Sequence, residues 1–109
     1  MPRSGGDEMP RSYVASGSWP DARLVKTAPP SARYGIVFAR RLRDAMALQD
    51  LNPNSLGRSS GVSRKTIERT LIGEVLPAFG AIARLEDALG VDLWPGPEVR
   101  ASKDGHGTG

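Results

Sequence analysis

Apolar residues recur at helical spacing from residue 34 onward and show no sustained period before it. In "YGIVFARRLRDAMALQ", residues 34–49, Phe38, Leu42, Ala45 and Met46 follow the i, i+4, i+7, i+8 pattern of one packed helix face. Arg40, Arg41, Arg43 and Asp44 fall elsewhere around the same axis, and Asp44 stands four residues after Arg40, a spacing that favours an ion pair. "DLNPN" ends this helix and begins a second. Asn52 is a good N-cap, and Pro53 suits the first helical position, where its missing N–H needs no partner. "NSLGRSS" is then a short helix that Gly61 closes with a left-handed cap.

Ser63 caps a third helix, "RKTIERTLI", which Gly73 terminates. "LPAFGAIARLEDALG" predicts a fourth, with Phe79, Ile82, Leu85 and Leu89 inward and Gly90 as its stop. In the "VDLWP" that follows, Val91, Leu93 and Trp94 are expected to close the core. No stretch alternates long enough to argue for a sheet. The pattern predicts an all-α fold, a compact bundle of four to five short helices over residues 34–95.

The flanks read differently. Residues 1–33 are rich in Pro, Gly and Ser, as in "SGSWPDAR" and "TAPPSAR", and predict a disordered arm that buries too little apolar surface to offset its ordering entropy. Within it, "SYVASGSW" and "RLVK" are apolar spots suited to ordering against a partner, and Trp19 is the candidate anchor. "MPRS" stands at 1–4 and again at 9–12; chance, a short duplication or an alternative start at Met9 accounts for it. Residues 96–109, "GPEVRASKDGHGTG", predict a flexible tail.

Composition narrows the chemistry. A chain of 109 residues fits one domain with tails, and 39% hydrophobic residues with two each of Trp, Tyr and Phe supply a modest aliphatic core. The absence of cysteine excludes disulfides, thiolate metal sites and thiol nucleophiles, and fits a reducing compartment. No apolar run approaches the ~20 residues of a membrane span, and the N-terminus lacks an apolar signal region. A soluble, cytoplasmic protein without membrane contact is expected. His106 is the single histidine and has no expected role. No glycine-rich phosphate loop, metal-ligand cluster or Ser/His/Asp set can be assembled, and Glu86 and Asp87 are adjacent on one helix but point apart. The expectation is no enzyme, no cofactor and no metal.

The net charge of +3 is modest, and its distribution matters more. The window 58–69 holds Arg58, Arg64, Lys65 and Arg69 against Glu68 alone. The second and third helices have the layout of a helix-turn-helix, with Leu56 and Ile67 locking the pair, Gly61 making the turn and Val62 filling the space between. Such a pair holds its second helix proud of the domain, where its first residues enter a major groove. Arginine and lysine donate to guanine O6 and N7, and threonine serves polar edges or a thymine methyl.

Residues 34–94 resemble the lambda-repressor/Cro family of helix-turn-helix domains, also called the xenobiotic-response-element family. The likeness is carried by "RLR" in the first helix, "GVSRKTI" at 61–67, "IGE" at 72–74, Pro77 and "LEDALGVDL" at 85–93. The resemblance implies a lambda-repressor-like bundle and a sequence-specific DNA-binding transcriptional regulator, a repressor by expectation, acting on double-stranded DNA as a homodimer. Arg64, Lys65, Thr66 and Arg69 are the implied base readers. Asn52, Arg58 and Ser63 are the implied phosphate contacts, helped by the positive dipole end of the second helix.

Three departures stand out. Pro53 replaces a polar residue that commonly contacts phosphate, Leu71 replaces a common Glu, and Gly57 replaces a small alanine at about 1 kcal/mol of helix propensity. Two alternatives use the fold differently. One is an antitoxin-like protein whose residues 13–27, with Tyr13, Val14, Trp19, Leu24 and Val25, bind a partner protein. The other is a helix-turn-helix fold that binds only protein, with Pro53 and Leu71 as relics of lost DNA contact.

Overall fold

The computed structural model describes residues 7–103. Five helices follow in order: α1 (Pro30–Leu48), α2 (Pro53–Ser60), α3 (Arg64–Leu71), α4 (Phe79–Leu89) and α5 (Pro97–Lys103). The all-α bundle expected from the periodicity is the fold observed. Its core joins the predicted α1 stripe of Phe38, Leu42, Ala45 and Met46 to Leu56, Val62, Ile67, Ile82, Leu85 and Leu89. Leu42, Leu56, Ile67, Leu85 and Leu93 are completely enclosed.

The helix boundaries follow from local chemistry. The Asn52 Oδ1 accepts the Ser55 N–H at 2.8 Å, and the Ser55 Oγ accepts the Asn52 N–H at 2.9 Å, a reciprocal capping box that fixes the start of α2. Pro53 takes the first helical position. Gly61 (φ +81°) and Gly90 (φ +70°) end α2 and α4 in the left-handed region.

The edges of the core depart from expectation in three places. Phe79 is 85% exposed rather than inward, because α4 begins at that residue and its side chain lies beyond the core's rim. Of the closing segment, Leu93 is buried, whereas Val91 is exposed and Trp94 is 52% exposed. The cause is Glu86, whose Oε2 accepts the N–H groups of Leu93 at 2.8 Å and Trp94 at 3.0 Å and sets that turn. Trp94 leans instead on Tyr34, with ring centroids 4.9 Å apart. Phe79, Trp94, Tyr34, Phe38 and Leu76 line an open groove of about 900 Å³ beside α1.

Within the flanks, residues 7–33 and 96–103 carry regular elements. Residues 10–13 form a 3₁₀ turn, and β1 (Val14–Ser16) pairs antiparallel with β2 (Arg23–Leu24), Val14 opposite Leu24. This small hairpin is a sheet the periodicity did not predict. Pro10, Ala22 and Ala28 are buried, and α1 starts at Pro30, ahead of the expected boundary at residue 34. The arm packs both within its hairpin, where Ala22 lies against Gly17, and on the helical body, where the Trp19 indole lies against Gly35 of α1 and Gly73. Polar bonds hold the register: the Arg40 Nε donates to the Pro20 carbonyl at 2.7 Å, and the Arg43 guanidinium meets Asp21 at 2.6 Å. Arg40 is thereby turned away from Asp44, which pairs with Arg43 at 3.1 Å. The hydrogen bond to Asp21 first, and that to Asp44 second, raise the Arg43 pKa above its ordinary value.

At the other end, α5 covers half of residues 96–109. Val99 is buried, Glu98 pairs with Arg41, and the Arg100 Nη1 donates to the Tyr34 hydroxyl at 3.0 Å. The first "MPRS" and His106 lie outside the described residues. Among the described residues, no helix is long and apolar enough to cross a membrane, and no cluster of three metal-ligating side chains occurs.

Candidate nucleic-acid interface

The α2–α3 pair is joined by Gly61, Val62 and Ser63. Val62 is buried between the helices, and Leu56 and Ile67 are both fully enclosed, so the pair is locked from beneath. Gly57 has a steric role here: a Cβ on it would fall 3.1 Å from the Val62 carbonyl oxygen and 3.5 Å from the Arg64 nitrogen. The glycine lets α2 approach the turn closely, which offsets its poor helix propensity.

The Ser63 Oγ accepts the Thr66 N–H at 3.1 Å and donates to the Thr66 Oγ1 at 3.0 Å, which ties both side chains to the start of α3. Thr70 is buried and satisfied, its Oγ1 donating to the Thr66 carbonyl at 2.8 Å. With Ile67 and Thr70 defining the inward side, Lys65 and Arg69, one turn apart, stand at the middle of the opposite, exposed face. Arg64 flanks them and pairs with Glu68 at 2.7 Å. Lys65 on α3 and Arg58 on α2 make no ion pair with the described residues.

The seven DNA-facing residues expected from the sequence therefore separate into two groups. Arg58, Arg64, Lys65 and Arg69 are exposed cations around α2 and α3. Asn52 Oδ1, Ser63 Oγ and Thr66 Oγ1 take part in hydrogen bonds at helix starts. Trp19 is not brought to this surface and is not a free anchor. Its indole packs against Gly35 and Gly73, with Nε1 buried and lacking a hydrogen-bond partner among the described residues.

Two residues that the sequence reading missed adjoin the site. The Glu74 carboxylate lies beside the end of α3, with Oε1 3.6 Å from the Arg69 Nε and Oε2 3.3 Å from the Arg11 Nη2. "IGE" at 72–74 was the only local signal for Glu74, and nothing near Arg11 pointed to it.

Comparison with curated proteins and with solved structures returns no match. A family model described as a helix-turn-helix domain matches residues 37–101, more than half of the chain and reaching into α5. The chain therefore belongs to the helix-turn-helix domain family of DNA-binding folds.

Proposed function

We propose that the protein is a sequence-specific transcriptional repressor of the lambda-repressor/Cro type that reads the DNA major groove with α3. The observation that carries the reading is the exposed cationic face of Lys65 and Arg69, held opposite the fully enclosed Ile67 on a helix whose start is capped by Ser63. Lys65 and Arg64 near the helix start suit guanine edges, and Thr66 flanks them with its methyl group. Arg69, one turn on, and Arg58 suit phosphates. Asn52 and Ser63 contribute chiefly by presenting two helix N-termini, whose partial positive charge favours phosphate.

Repression, rather than activation, is the mode the family resemblance implies. A homodimer on half-sites about one helical turn apart is the form the family resemblance implies. The use of residues 13–27 as a partner-binding arm has less support, because Trp19 and Ala22 are packed within the fold.

Selection from a randomised duplex library tests the reading. Enrichment of one short motif, bound saturably, supports it. Recovery of unselected sequence with only salt-sensitive binding refutes it.

A further inference from the structure

The end of α3 is tied to the N-terminal arm at a single glycine. The Gly73 N–H donates to the Thr70 carbonyl at 3.3 Å and the Glu74 N–H to the Arg69 carbonyl at 2.9 Å, the paired bonds that close a helix through a left-handed residue. Gly73 has the required φ of +79°. Its carbonyl in turn accepts the Arg11 N–H at 2.9 Å, and the Trp19 indole covers its Cα. Glu74 is thus fixed through its own backbone and its neighbour's. Its carboxylate stands between two guanidinium groups, Arg69 on one oxygen and Arg11 on the other.

This order of charges has a consequence for DNA binding. A carboxylate beside Arg69 competes with a phosphate for that guanidinium. Arg11 draws on the same carboxylate from the arm side, weakening its hold on Arg69 and leaving Glu74 with a partner when Arg69 departs. We propose that Arg11 and Glu74 are positioning residues for Arg69, through which the N-terminal arm sets how readily α3 engages DNA. The proposal rests on the DNA-reading role of α3. It makes residues 10–24 part of the reading unit rather than a separate tail.

The test measures binding of the full chain to a labelled duplex recovered by selection and to the randomised duplex pool, each across a salt series. Glu74→Gln is compared with Asp87→Asn, which removes an equal charge from exposed α4. Glu74→Gln binds about two- to fivefold tighter than Asp87→Asn, and its salt dependence is steeper by about one unit, as an added phosphate contact requires. Arg11→Ala binds about two- to fivefold more weakly than wild type, Arg11→Lys recovers most of the loss, and Arg11→Ala has no further effect once Glu74→Gln is present. Thermal unfolding is followed for every variant, and a purely structural Arg11 moves the melting temperature but not the salt slope. Should Arg11→Ala fail to fold, the Glu74→Gln and Asp87→Asn pair decides alone. Equal binding by that pair overturns the proposal while the DNA reading stands, and so does an Arg11→Ala loss that persists beside Glu74→Gln. A folded wild type that binds neither duplex overturns the DNA reading, and this proposal with it.

Discussion

The Trp19 indole and the backbone of Gly73 are in such close contact that a Cβ on Gly73 would lie 2.6 Å from the Trp19 Cδ2 and 2.8 Å from its Cγ. The contact joins the arm to the turn that ends α3, and it needs glycine twice over: for the positive φ, and for the space. Gly61 shares the positive φ, but open space surrounds its missing Cβ. Gly61→Ala therefore isolates the backbone cost, about 1 kcal/mol. Gly73→Ala adds overpacking and is expected to cost about 2–4 kcal/mol in total. Chemical denaturation measures both. In a Trp94→Phe background, Gly73→Ala is also expected to red-shift the Trp19 emission as the arm leaves its seat.

The helix starts make a second comparison. Asn52→Ala removes the side-chain arm of the capping box, leaving the backbone N–H of residue 52 on the Ser55 Oγ, and is expected to cost about 1 kcal/mol, whereas Asn52→Gly costs only a few tenths. Ser63→Ala is expected to cost about 1 kcal/mol as well, since Thr66 then loses the acceptor for its N–H. Equal losses for Asn52→Ala and Asn52→Gly in denaturation midpoints contradict the capping role.

Core and rim separate just as clearly. Leu56 is fully enclosed at the α2–α3 lock, and Leu56→Ala is expected to cost about 2–5 kcal/mol, a large part of a small domain's total stability. Phe79 has the larger side chain and is expected inward from its spacing, yet it is 85% exposed. Phe79→Ser is expected to change stability by less than about 0.5 kcal/mol. Thermal melts of the two variants distinguish the observed core from the one periodicity alone suggests.

What the sequence made legible was whatever local chemistry decides. Asn52 with Pro53, Gly61, Ser63 and Gly90 mark helix ends through bonds to residues a few positions away, and the α1 stripe is a matter of spacing. The helix-turn-helix and its exposed cations followed from those signals. The arm did not, because its order depends on contacts such as Arg11 with Glu74, 63 positions apart, which no local composition encodes. Phe79 continues the apolar spacing of α4 but stands at its first residue, where a side chain reaches past the core. Trp94 looked like core by type, and the Glu86 carboxylate turns its backbone so that Leu93 enters instead. Among the expected DNA-facing residues, residue type identified the exposed cations. It did not reveal that Thr66 and Ser63 bond to each other.

The most direct measurement is the affinity of wild type, Lys65→Ala and Arg58→Ala for the selected duplex and for the randomised pool, at two salt concentrations. If α3 reads bases, Lys65→Ala costs about 1–3 kcal/mol on the selected duplex and little on the pool, so the preference between them collapses. Arg58→Ala weakens both alike and lowers the salt slope by about one, as expected for a phosphate contact. A Lys65→Ala protein that keeps the full preference for the selected duplex contradicts α3 as the reading helix.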